Sequence, residues 1–341
     1  MSAMDKIVYR PARDELAYTF GGRIPVAHLR SGDTLQVFTE DCFGGLVHGR
    51  ADLPSQKCRM PYLNPVSGPF FVEDAEPGDT LAVHICAIVP AEDWGISTTF
   101  PHFGALTSTT HTATLQPPLE ERVWVYRIDR RAGTVRFAAT DSDHRIDLPL
   151  EPMIGTIGVA PGGFEARSSI VPDTHGGNLD TPQVRAGTTV YLGVNVHGAM
   201  LALGDAHARQ GEGEACGAGV EIAATTTLIV DVIKGEPTPW PRLETDTSIM
   251  SVGCARPLED AYRIAHHDLV GWTSRLTGLH VLDAYQLVSQ IGRAPIGNVC
   301  DPNYTVLAAA DKALLPAAAA PYGETHDRLR QLTAAQQEGS R

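Results

Sequence analysis

Residues 203–214 read LGDAHARQGEGE, starting from the last residue of the apolar run GAMLAL, 198–203. Asp205, His207, Glu212 and Glu214 crowd into this one glycine-containing stretch. A carboxylate and an imidazole two residues apart at a strand end can form a catalytic zinc-type site, with one position left open for water. Gly204 and Gly211 let backbone and solvent approach closely. The competing reading is a polar turn in which Asp205 caps neighbouring amides. Two further clusters share this character. THGGNLDTP, 174–182, sets His175, Asn178 and Asp180 around two glycines, and TED, 39–41, ends in Asp41 just before CFGG. Each alone reads as a turn or a solvated strand end. Three glycine-flanked acid groups, two of them with histidine, read together as the lining of a cleft. Glu221 opens a very apolar stretch, where a buried carboxylate needs a metal or a hydrogen-bond network as its partner. Glu214, in the loop, suits a mobile general base.

Other chemistries find less support. Ser168 and Ser169 sit in ARSSI, without a glycine-rich surround. None of the four lysines (Lys6, Lys57, Lys234, Lys312) completes a Ser-Ser-Lys set. Cys216 in EACGAG has no Glu…Lys…Cys order around it and reads as a small packed thiol. No GxGxxG follows a strand and no GxxxxGK[ST] occurs, which argues against a nucleotide cofactor.

These side chains need a scaffold, and the pattern predicts strands for most of it. Segments 34–41, 80–89, 121–129, 134–139, 188–196 and 221–233 are strand-like, several entered through Gly-Asp or Gly-Thr turns. Helices come late. Residues 257–278 carry Leu258, Ala261, Ile264, Ala265, Leu269 and Trp272 at helical spacing, bounded by proline and glycine. A second helix is predicted over 281–292, with Leu282, Tyr285, Leu287 and Val288 facing inward. The tail from Glu324 reads as an exposed helix or a frayed end. The expected fold is mainly β with α/β additions: a β-sandwich-like core and helices in the C-terminal third. It is expected as one unit over 1–341, with 257–292 as a helical elaboration.

Composition narrows the partners. Of 341 residues, 43% are hydrophobic, enough for a core. The net charge of −13 and the lack of a basic patch exclude a typical nucleic-acid binder. The start carries charges where a signal peptide needs an apolar run, and no window is apolar enough for a membrane span. Six scattered cysteines without a CxxC pair read as reduced thiols in a cytoplasmic protein.

Several segments together carry a resemblance. NPVSGPFFVEDAEPGDTLAVHI (64–85), PHFGAL (101–106), PMIGTIGVAP (152–161), HGGNLDTP (175–182), GDAHARQGEGE (204–214) and DPNYTV (301–306) resemble the acetamidase/formamidase family, in consistent order over most of the chain. The family usually reads GDGE where this chain has Gly211-Glu212-Gly213-Glu214. The resemblance implies a β-sandwich-like core with added α/β structure, and hydrolysis of short amides such as formamide and acetamide to carboxylate and ammonia. It also implies a divalent metal, zinc first and calcium as the alternative. By position it falls on Asp205 and His207, and on Asn178 and Asp180. With the three acid clusters, the expected ligands are Asp41, Asp180, Asp205 and His207. Glu214 and His175 are the expected catalytic residues, with Asn178 and Glu221 on the substrate. A small amide is the expected partner and a homo-oligomer the expected state. The loop offers little aromatic or long aliphatic surface, so the pocket is expected to have few apolar walls and to favour the smallest amides. The alternatives are a hydrolase of a urea- or carbamate-like compound, and a binding protein that keeps the fold without the chemistry.

Overall fold

The strand-like segments form two large mixed sheets in the computed structural model. The structure describes residues 5–106, 119–315 and 318–339, the side chains of 337–339 apart. Strand Thr34–Thr39 pairs with the long strand Ala224–Ile233, which pairs in turn with Thr80–Pro90. The same sheet continues through Thr189–Gly193 and Ser248–Ala255 to Tyr304–Asp311. In the second sheet, strand Leu201–His207 runs between Met153–Gly158 on one side and Val66–Val72 and Glu221–Ile222 on the other. Buried residues of both sheets, among them Leu35, Val83, Leu228, Phe70, Ile154 and Leu203, form one apolar cluster. This is the sandwich-like core that the pattern predicts.

The predicted strand over 221–233 is two strands. Glu221–Ile222 belongs to the second sheet and Ala224–Ile233 to the first, so the chain crosses between sheets at residue 223. That crossing places Glu221 beside His207.

Helices Leu258–Thr277 and Val281–Ile291 follow, as expected. The first buries Ala265, Leu269 and Trp272 against Tyr191, Ile229 and Ile249 of the first sheet, and Ala261 is buried as well. Its Asp268 accepts two hydrogen bonds from the buried Arg242 guanidinium, at 2.8 and 2.7 Å. The face of the second helix differs from expectation. Leu282 and Tyr285 are exposed, and the inward side is Ala284, Leu287, Val288 and Ile291. That set follows i, i+3, i+4, i+7 spacing, and the small Ala284 lets the backbone come close. The tail helix Thr325–Gly339 is docked, not frayed: His326 and Leu329 are buried, and His326 Nδ1 lies 2.8 Å from Thr189 Oγ1. Among the described residues, no helix is long and apolar enough to cross a membrane.

Candidate active site

Side chains two apart on a strand share a face. Asp205 and His207 therefore project together from strand Leu201–His207, whose seven residues are all buried. The register sets Glu221 directly opposite His207. On the other flank, Thr156 of Met153–Gly158 lies opposite both Gly204 and Asn178, which brings the segment carrying Asp180 alongside. Glu214 arrives from the glycine-rich loop and Asp301 from the turn after Ile296–Asn298. Asp180, Asp205, Glu214, Glu221 and Asp301 line one cavity with His207 and Asn178. Three of these acids have left-handed backbones: φ is 41° at Asp180, 56° at Asp205 and 44° at Glu214. Such conformations cost about 1–3 kcal/mol each and persist where the surroundings enforce them.

The imidazole organises the cluster. His207 Nε2 lies 3.2 Å from Asp205 Oδ1, 3.0 Å from Glu221 Oε2 and 3.9 Å from Asp180 Oδ1. Its Nδ1 lies 2.9 Å from Gln210 Oε1. The Gln210 amide can face only one way, because its Nε2 donates to the carbonyls of Asp180 at 2.6 Å and Gly297 at 3.0 Å. Gln210 Oε1 is therefore an acceptor, and the proton sits on His207 Nδ1. The lone pair of Nε2 then points at carboxylate oxygens, an arrangement that calls for a second proton or a cation.

Charge balance makes the same demand. Five buried carboxylates share the cavity with the His207 imidazole. Burial, then the charge of neighbouring carboxylates, holds Asp180 and Glu214 well above the usual carboxylate range, and burial and Glu214 do the same to Asp301. Glu221 is pushed up to about 7, chiefly by burial. Burial alone would lower His207, but Glu221 and Asp205 hold its imidazolium well above the ordinary value. For Asp205, burial raises the pKa and His207 outweighs it, leaving the carboxyl below its ordinary range. Asp180 Oδ1 and Glu221 Oε2 are buried without a hydrogen-bond partner, although the latter is in charge contact with His207. Orphaned oxygens beside a free imidazole nitrogen fit a divalent cation, which would displace the protons that otherwise neutralise the site. The sets Asp180, Asp205, His207 and His207, Glu214, Glu221 each bring their ligand atoms within 4.8 Å of one another. Cys42 does so with Asp205 and Glu221.

The sequence-predicted residues fare differently. Asp180, Asp205, His207, Glu214, Glu221 and Asn178 converge on the cavity. Glu214 is not mobile: it is 6% exposed, and its Oε2 accepts from Cys300 Sγ at 3.3 Å. The Asn178 amide is occupied within the protein. Its nitrogen donates to Asp180 and to Asp301, the latter at 2.9 Å, and its oxygen accepts from Thr156 and from Asn64, the latter at 2.6 Å. It orients the acids and has no spare donor for a substrate. Asp41 stands outside the cavity lining. Its Oδ1 accepts from the amides of Phe43 and Gly45, both at 2.9 Å, the local turn that was the alternative for Asp205. Cys216 is exposed, away from the lining, and donates to Ala218 O at 3.2 Å. Cys42, Asn64, Thr156, Gln210 and Asp301 escaped the sequence reading. All but Cys42 lie in segments that carry the family resemblance: Asn64 opens 64–85, Thr156 lies in 152–161, Gln210 in 204–214, and Asp301 opens 301–306.

His175 also stands apart. Its ring is fully buried against Phe20, with 5.1 Å between centroids, and neither nitrogen has a hydrogen-bond partner. Burial pushes its pKa down from 6.5 to about 4. The unfolded chain therefore takes up this proton first as the pH falls. Its contribution is fully present above pH 6.5 and is lost between 6.5 and about 4, amounting to about 3 kcal/mol at most. His175→Phe should flatten the loss of stability in that window. Urea unfolding at several pH values reads this, and an unchanged pH slope would refute it.

The chain matches the acetamidase/formamidase family over residues 22–163 and 151–265. It is 30% identical to the acetamidase of Mycolicibacterium smegmatis over 54% of this chain and 56% of that protein. It is 28% identical to the formamidase of Methylophilus methylotrophus over 61% of each chain, so the matches span about three fifths of these curated relatives. The structure of an acetamidase from Yersinia enterocolitica superposes with a TM-score of 0.86 at 42% identity, covering 92% of this chain and 94% of that one. The chain belongs to the acetamidase/formamidase family.

Proposed function

We propose that the protein is a metal-dependent amidohydrolase that splits carboxamides into carboxylate and ammonia. The observation that carries this reading is the convergence of His207 Nε2 with the oxygens of Asp180, Asp205, Glu214 and Glu221 in one buried cavity. The names of the related proteins, acetamidase and formamidase, support the same chemistry. In this reading Asp180, Asp205, His207 and Glu221 hold a divalent cation, and zinc fits the imidazole and the nearby Cys42 thiol. When bound, the cation polarises the amide carbonyl and makes water a nucleophile near neutral pH. The protein's own groups do the rest. Gln210 holds the imidazole in one tautomer and one orientation. Asn178 fixes the carboxylates of Asp180 and Asp301. Glu214, whose burial favours its protonated form, is placed to hand a proton to the departing nitrogen, which leaves poorly without one.

The test pairs ammonia release from acetamide with metal analysis of the purified protein. Chelation should abolish hydrolysis and zinc should restore it. A metal-free protein that keeps full activity would remove the metal from the mechanism.

A further inference from the structure

The sequence predicts few apolar walls, and the cavity overturns this. Its buried end is acidic: Asp180, Asp205, Glu221 and Glu214 are 1%, 3%, 2% and 6% exposed. The side chains above them are of another kind. Phe43, Met60, Leu63, Phe100, Phe103 and Ile170 make up most of the remaining large side chains in the lining, with Thr98 and His102 among them, and all six but Phe43 are half-buried or exposed. Burial thus falls off from an ionic floor to an apolar vestibule. The cavity measures about 370 Å³. At roughly 30 Å³ per water-sized group, that is room for about a dozen such groups, several times what acetamide fills.

One wall is held in place from the acidic loop itself. Ala105 N donates to Ala215 O at 2.8 Å. A side chain at Gly217 would sit 2.5 Å from Phe103 Cδ1, so the ring packs directly on the backbone that follows Glu214. The Phe103 wall and the catalytic loop are therefore built as one surface.

We propose that the substrate is a carboxamide whose acyl group is an apolar chain or ring larger than acetyl, seated between Phe100, Phe103, Met60 and Ile170 while its amide reaches the acidic floor. This rests on the amidohydrolase reading and adds the substrate class. A formamide or acetamide leaves the vestibule filled with water. A longer acyl group displaces that water and removes apolar surface from it, about fourfold in binding per methylene.

The experiment measures kcat/KM for acetamide, butyramide, hexanamide and phenylacetamide with the metal-loaded protein. Hexanamide should exceed acetamide by a hundredfold or more. Phe103→Ala should lower the hexanamide-to-acetamide ratio at least about fivefold. Met60→Gln, at a residue that is 63% exposed and so safe for folding, should lower it in the same direction. Turnover of acetamide with a flat or falling profile would overturn the substrate class and leave the amidase reading standing. An unmoved ratio in both variants would overturn the assigned walls. If none of the amides releases ammonia, the amidase reading itself fails and takes the substrate class with it.

Discussion

His207→Ala should lower kcat/KM by about a thousandfold or more and strip the protein of its metal in the same step. Among the described residues, His207 is the imidazole whose nitrogen lies within 4.8 Å of these carboxylate oxygens, and it is in charge contact with both Asp205 and Glu221. A bound divalent ion contributes several kcal/mol of transition-state stabilisation, and about 4 kcal/mol is a factor of a thousand. The metal-free variant should also be less stable, by about 3–5 kcal/mol, because carboxylates are left buried without their partner. Metal content, activity and thermal melting are read on the same preparation. Normal metal content with full activity would show that the centre lies elsewhere.

Gly155→Ala should cost about a hundredfold in kcat/KM while the protein stays folded, although it touches no group that reacts. Gly155 lies on strand Met153–Gly158 behind the site. A methyl group there would lie 2.3 Å from Asp180 Oδ1 and 2.6 Å from Asp205 Oδ2, so both carboxylates must move. A displacement of about 1 Å at a catalytic group costs about a hundredfold. Gly271→Ala is the control. Its helix position has only the flexible Arg275 guanidinium nearby, at 3.8 Å, and alanine there favours the helix. Activity should fall in the first variant and hold in the second. Equal activity in both would mean that the acids tolerate displacement and do not set the geometry.

The legibility of this protein followed the range of its interactions. The helix over 258–277 was readable because its stripe, its proline and its glycine are local features. Asp205 and His207 were readable because two-residue spacing on a strand puts them on one face. Glu221 was visible as a buried acid, but its place opposite His207 depends on register and on the crossing between sheets at residue 223. Nothing in the continuous run 221–233 marks that crossing. Asn64 and Asp301 act through partners 92 and 123 residues away in sequence, and Gln210, only three residues from His207, is oriented by the Asp180 carbonyl 30 residues away; no spacing rule reaches these contacts. Asp41 and His175 show the converse. They lie in segments rich in acids and glycines, but one caps its own turn and the other packs in an apolar niche.

The acids gathered around His207 come from residues 180, 205, 214, 221 and 301, and no two of them are sequence neighbours. Their mutual repulsion opposes the closure of the very contacts that bring them together. During biosynthesis the centre therefore cannot exist until the second sheet is complete and the turn at Asp301 has docked, late in the order of assembly. A nascent or partly unfolded chain would offer a cation only isolated carboxylates and scattered imidazoles. The finished chain offers all of them at once. If the centre binds a metal as proposed, uptake would act as a checkpoint on maturation: it would select chains that have folded through to the C-terminal third and hold them there by mass action.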